Sequence, residues 1–191
     1  MTDPKARFRV PKLYKQAMLL AIVAGPIIWL MFTDDGRRRT DVVMLTLFGG
    51  EEMNLRLDTL ASTATEQAIR EFLPALEWDC AQAPGPFGSR ACATKIASFN
   101  GTPAYSSVIY TDGDYLQAIK VVYRPRYHGW LKGELRRQLG EPAFDPGDVL
   151  RWTTPRGLVL LPSVIAPEEP EPSLMWIAAE RAAQGGMPIL R

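Results

Sequence analysis

The stretch AYSSVIYTDGDYLQAIKVVY, residues 104–123, places two β-rich runs on either side of an Asp112-Gly113 turn. Val108, Ile109 and Tyr110 on one side and Ile119, Val121, Val122 and Tyr123 on the other are the β-branched and aromatic residues that suit a pleated surface. The Asp-Gly pair between them supplies the φ freedom a tight hairpin needs. Strands joined this way are antiparallel, because a parallel pair would need a crossover of a dozen residues or more.

Downstream, a helix fits residues 129–139. Leu131, Leu135 and Leu139 share one face, Lys132, Glu134, Arg136 and Arg137 lie elsewhere, and Gly140 and Pro142 stop it. A second hairpin follows, with strands at 149–153 and 158–161 around Pro155-Arg156-Gly157. After the APEEPEP loop, a last strand at 173–179 passes into a short helix.

Upstream, Asn100-Gly101-Thr102-Pro103 punctuates the chain after a strand at 93–99. A helix fits 63–73, with Thr63 and Glu66 at capping-box spacing and Ile69, Phe72, Leu73 and Leu76 forming a core stripe that Pro74 ends. Alternation of Met53, Leu55 and Leu57 with polar neighbours favours a strand within 51–60, and DVVMLTLF at 41–48 reads as another that turns at Gly49-Gly50. The order helix, three strands, helix, three strands makes a tandem α-β-β-β pattern, although no residue-level repeat aligns. The expectation is an α+β fold: an antiparallel sheet with helices on one face, over residues 42–183.

The N-terminal part is different in kind. QAMLLAIVAGPIIWLMFT, residues 16–33, carries no charge, and Leu13 and Tyr14 extend it. From Leu13 to Thr33 a helix would reach about 31 Å at 1.5 Å per residue, matching a hydrocarbon layer of roughly 30 Å. The run is apolar all round, whereas a buried soluble helix shows a polar face at the helical period. Residues 13–33 are therefore expected to form a single transmembrane helix in a lipid bilayer. Pro26 bends or is tolerated within it, and Ala21, Ala24, Gly25 and Pro26 form a notch where another helix could pack. Lys5, Arg7, Arg9, Lys12 and Lys15 against a lone Asp3 place segment 1–12 in the cytoplasm and the rest outside it; Arg37, Arg38 and Arg39, in a charged juxtamembrane link at 34–41, weigh the other way. The bulky Trp29-Leu30-Met31-Phe32 does not suit a signal peptidase, so an uncleaved signal anchor is expected. Residues 184–191 read as a flexible tail.

The chain has two cysteines, Cys80 and Cys92. Outside the cytoplasm they are expected to form one disulfide. Their spacing is not that of a Cys-x-x-Cys redox pair, and two Cys with the single His128 are too few for a zinc site. The Ala, Pro and Arg-rich composition favours a bacterial source, in which the Asn100-Gly101-Thr102 sequon has no role.

A net charge of +1 gives no concentrated basic surplus, so no nucleic-acid partner is expected. One histidine removes most triads and metal centres, and no G-x-S-x-G, P-loop or G-x-G-x-x-G is present. Asp112-Gly113-Asp114 lacks the further oxygen ligands of an EF-hand loop. No catalytic, cofactor-binding or metal residues are assigned and no enzyme activity is expected. What stands out is a basic and aromatic cluster: Arg124, Arg126, Tyr127, Trp130, Arg136 and Arg137, with His128 among them. Arg, Tyr and Trp are the side chains that protein interfaces enrich, so this is the candidate interaction patch.

The helix, then Leu139-Gly140-Glu141-Pro142, then a strand with Trp152 and a turn, resembles the helix-then-three-strand layout of small bacterial envelope domains. These are the β-lactamase-inhibitor-protein-like and outer-membrane assembly lipoprotein group. The likeness is architectural and spans residues 60–180; the chain departs from the lipoproteins in its helical anchor and in lacking an early lipobox cysteine. It implies protein binding. The expected function is that of a single-pass inner-membrane protein whose periplasmic domain binds a membrane or periplasmic protein, as an accessory or assembly subunit of an envelope complex. The alternative is a membrane-tethered inhibitor or immunity protein that binds a toxin or enzyme.

Overall fold

A computed structural model describes residues 11–48, 50–145, 148–165 and 171–184. The basic segment before Pro11, residue 49, most of the Pro-rich loop at 166–170 and the tail from 185 lie outside the described residues. The chain divides into two compact units, one ending at Asp41 and the other beginning at Val42.

The first unit is dominated by helix α1, Lys12–Phe32, which is long and apolar enough to cross a membrane and in which no residue is buried. Its bounds match the expected span to within a residue, and Pro26 lies inside it. Thr33, extended at φ −99° and ψ 150°, ends it. Helix α2, Asp34–Leu47, follows directly, and its second half, from Val42, belongs to the second unit. This corrects both the link expected at 34–41 and the strand expected at 41–48. Asp34 and Asp35 sit in the first turn, where acidic groups complement the helix dipole. Asp35 bonds Arg38 and Arg39 at helical spacing, each over 2.9 Å. Val42 and Val43 suggested a strand, but pairs such as Val43 with Leu47 recur every four residues, the helical and not the strand period.

The second unit is an α+β domain built on the Ala104–Tyr123 hairpin. In chain order its elements are β1 (Glu52–Met53), α3 (Glu66–Phe72), β2 (Asp79–Gly85), β3 (Gly88–Lys95), β4 (Ser98–Phe99), β5 (Thr102–Asp112), β6 (Tyr115–Tyr123), α4 (His128–Leu139), β7 (Ala143–Asp145), β8 (Val149–Thr154), β9 (Gly157–Pro162), β10 (Ser173–Ala178) and α5 (Ala179–Ala183). A 3₁₀ turn, Pro125–Tyr127, leads into α4. Strands β2, β3, β5 and β6 run antiparallel to one another in that order, β6 pairs with β10, and β10 is followed by β9, β8 and β7. The sheet is mixed, because β1 lies parallel to β4, which pairs with the start of β5.

Several expected elements change. The strand at 51–60 shrinks to Glu52–Met53, and the strand at 93–99 becomes β3 and β4. Strands β2 and β7 were not expected, and among the described residues five strands follow α3 and four follow α4, in place of three after each. The cap of α3 is Thr65, whose side chain accepts from the Ala68 amide over 3.1 Å, in place of Thr63. Phe72 is exposed and leaves the expected core stripe, while Ile69 and Leu76 stay buried.

Alternation along the strands sorts the core. Leu174 and Trp176 of β10 join a large cluster with Ile119, Trp152, Leu161, Ile69 of α3 and Leu131 and Leu135 of α4; Met175 and Ile177 point into a smaller cluster with Phe87, Ala118 and Leu160. Helices α3 and α4 thus cover one face, as expected, and α5 packs Ala182 on the other. Trp152 and Trp176 are each almost fully buried. Burial of roughly 200 Å² per ring contributes about 5 kcal/mol before ordering entropy is subtracted. Gly157, where β9 meets β10, has no room for a side chain: a Cβ there would stand 2.5 Å from the Ile177 carbonyl oxygen.

Candidate interaction site

The chain leaves β6 at Tyr123 and enters α4 through Pro125–Tyr127. Proline at the start of the turn presets φ and gives up no needed donor. The corner is tied down by backbone bonds from Arg124 N–H to the Pro103 carbonyl at 3.1 Å and from Tyr127 N–H to the Arg124 carbonyl at 2.9 Å.

The structure divides the expected cluster. Tyr127 is buried, 4 % exposed, and belongs to the interior. Arg136 and Arg137 lie at the far end of α4, about 12 Å along the axis from its head at 1.5 Å per residue. There Arg136 pairs with Glu141 at 3.4 Å and Arg137 with Glu134. What remains together at the head of α4 is Arg124, Arg126 and Trp130. The guanidinium of Arg124 stands 5.3 Å from the ring centre of Tyr105 on β5, and that of Arg126 lies 5.8 Å from the Tyr127 ring. Tyr105 and Trp130 are exposed large side chains. Tyr105 was not among the expected residues; it is far from Arg124 in sequence, and only the pairing of β5 with β6 brings it alongside.

His128 has a structural place. Its Nδ1 lies 2.8 Å from the Tyr123 hydroxyl and its Nε2 lies 3.4 Å from the Ser163 carbonyl oxygen. A carbonyl only accepts, so Nε2 carries the proton, and in the neutral ring Nδ1 accepts from Tyr123. Burial holds the His128 pKa below its ordinary value, and the Lys132 charge acts in the same direction, against the Ser163 hydrogen bond. The neutral ring therefore joins β6, the start of α4 and the end of β9.

Two further clusters bear on chemistry. Cys80 and Cys92 sit opposite each other on β2 and β3 and form the disulfide. Glu66 has an oxygen 3.6 Å from Cys80 Sγ, but with both sulfurs bonded to each other no thiolate is left to ligate a metal. Glu66 is instead held by Arg90 at 2.8 Å and Arg70 at 3.5 Å, and its hydrogen bond and charge raise the Arg90 pKa. A groove of about 990 Å³ opens there, lined by Arg70, Trp78, Gln82 and Asp114 among others. The Asn100 side chain is also occupied: Oδ1 accepts from the Leu55 amide and Nδ2 donates to the Leu55 carbonyl, each over 2.9 Å, so the sequon is built into the fold and not displayed.

On α1, Ala21, Ala24, Gly25 and Pro26 fall on a helix none of whose residues is buried, and a Cβ at Gly25 would meet nothing within 4 Å. Comparison with protein-family models, curated proteins and solved structures finds no match. The class defined by the chain itself is an α+β domain preceded by one helix capable of crossing a membrane.

Proposed function

We propose that the chain is a single-pass inner-membrane protein of a bacterium, with its basic N-terminus in the cytoplasm and its α+β domain in the periplasm. There the domain binds another membrane or periplasmic protein as an accessory or assembly subunit. The observation that carries this reading is the Cys80–Cys92 disulfide downstream of a span-capable helix. Disulfides persist in oxidising compartments, and positive charge ahead of a span stays in the cytoplasm, so both signals point the same way. The proposed contact surface is Tyr105, Arg124, Arg126 and Trp130 at the head of α4.

The alternative, a membrane-tethered inhibitor or immunity protein, rests on the expected likeness to inhibitor-like domains, with which a helix followed by antiparallel strands, as at α4 and β7 to β10, is compatible. A pull-down from detergent-solubilised membranes separates the two. Stable recovery of other membrane subunits supports the first reading, and recovery of a single soluble toxin or enzyme supports the second. Recovery of the chain alone contradicts both.

A further inference from the structure

The corner between α1 and α2 is tightly built. Thr33 Oγ1 donates to the Trp29 carbonyl over 2.7 Å and accepts from the Gly36 amide over 3.0 Å, while Arg37 Nε donates to the Met31 carbonyl over 2.6 Å. These bonds satisfy carbonyls that the end of a helix otherwise leaves open. Gly36 is the buried residue of α2, and a Cβ there would stand 2.3 Å from the Trp29 carbonyl oxygen and 2.6 Å from Leu30 Cα. The chain thus turns off the α1 axis at Thr33, and the Gly36 face of α2 rests against the last turn of α1.

That same face continues along α2. Gly36, Thr40, Val43 and Leu47 follow at i, i+4, i+7 and i+11, one stripe of an α-helix, and Met44 flanks it. Val43 is 56 % exposed, Met44 45 % and Leu47 75 %, and Phe48 just past the helix is 82 % exposed. Asp34 and Asp41 lie on the opposite side at i and i+7, with Arg38 between them largely covered, its side chain 12 % exposed. A soluble surface helix buries its apolar stripe and exposes its charged one. Here the apolar stripe is left open.

We propose that α2 is an interfacial helix, lying along the bilayer surface with Val43, Met44 and Leu47 inserted at the headgroup and acyl boundary. The inference rests on the reading of α1 as a membrane span. With α1 along the membrane normal, a helix that begins one residue later and turns off its axis runs along the interface. Leu47 is then within about 21 Å of the end of α1 at 1.5 Å per residue. Its apolar side then faces lipid and its charged side is turned away from the acyl chains, the arrangement that binds amphipathic helices to membranes. The Arg39 guanidinium, 5.8 Å from the Trp29 ring centre, places an arginine and a tryptophan at this level, where both side chains favour the headgroup region.

Both native cysteines are in the disulfide, so a nitroxide attaches only to an introduced thiol. The full chain carrying Val43→Cys, Met44→Cys, Leu47→Cys, Asp41→Cys or Ile22→Cys is reconstituted, spin-labelled, at low density in phosphatidylcholine and phosphatidylglycerol vesicles. Accessibility to oxygen and to a water-soluble nickel chelate is then read by power saturation. The expected result is an oxygen-to-nickel ratio at Val43, Met44 and Leu47 several-fold above that at Asp41, and higher still at Ile22 within α1. A deep Ile22 label with water-exposed labels at 43, 44 and 47 overturns the inference and leaves the anchor standing. Water exposure at Ile22 as well removes the anchor and the inference with it. Dipolar broadening at Leu47 that vanishes on dilution with unlabelled protein shows a second copy on the stripe and also overturns the proposal.

Discussion

The Tyr123 hydroxyl meets His128 Nδ1 at 2.8 Å with the two rings stacked 6.0 Å apart, so a buried tyrosine of β6 is satisfied by the first residue of α4. The arrangement requires a neutral imidazole. Because the folded pKa of His128 is lowered, chiefly by burial, the unfolded chain takes up the proton first as pH falls. The contribution is full above the unfolded value of about 6.5 and is lost as pH drops through the folded value. Urea midpoints measured from pH 8 to pH 5 should fall for the native chain and fall less for His128→Gln. Equal slopes would show that the ring does not titrate in this setting.

Joining β2 to β3 through Cys80 and Cys92 constrains the unfolded chain across a sequence separation of 12 residues. Cys80→Ser with Cys92→Ser should cost about 3 kcal/mol of domain stability by the chain-entropy model. The native chain should also show a reductant-dependent gel shift that the double variant lacks. Unfolding midpoints with and without reductant read the energy directly.

Asn100 adopts φ 46°, a conformation asparagine tolerates, while its side chain closes a two-bond bridge to Leu55. Asn100→Ala loses both bonds and keeps the strained backbone, for an expected loss of about 2–3 kcal/mol. Denaturant unfolding checks this, and a change below about 0.5 kcal/mol would mean that the bridge contributes little in solution.

At the head of α4, Arg126→Glu and Trp130→Ala should each weaken partner recovery by about thirtyfold, the effect of losing about 2 kcal/mol at an interface anchor. Arg126 is exposed, so Arg126→Glu should change stability by less than about 0.5 kcal/mol. Trp130 is 39 % exposed, so Trp130→Ala should also cost domain stability, which unfolding measured alongside recovery separates. Arg137→Glu, altering a residue paired with Glu134 at the other end of the helix, should leave recovery unchanged.

The elements that were readable in the sequence are those whose burial pattern follows their own period. β5 and β6 alternate around Asp112-Gly113, and α4 repeats Leu131 and Leu135 before Gly140, where φ is +84°. Strand β2 escaped because it lies at the sheet edge with no buried residue, and Pro84-Gly85 reads as a loop. Strand β7 is three residues long and shows no period. Helix α2 was masked by β-branched Val42 and Val43, whose preference yields to the ion pairs of Asp35 and the capping of Thr33. The candidate site was half legible. Neighbouring arginines at 136 and 137 looked part of the patch until the helix carried them away from 126, and Tyr105 entered it only through strand pairing.

The most direct test of the account is the location of the domain. A reporter enzyme that becomes active only where disulfides form is fused after Arg191, and its activity is compared with that of a reporter active only in the cytoplasm. The account predicts activity of the first and silence of the second. An inactive first reporter with an active second one would put the domain on the cytoplasmic side and contradict it.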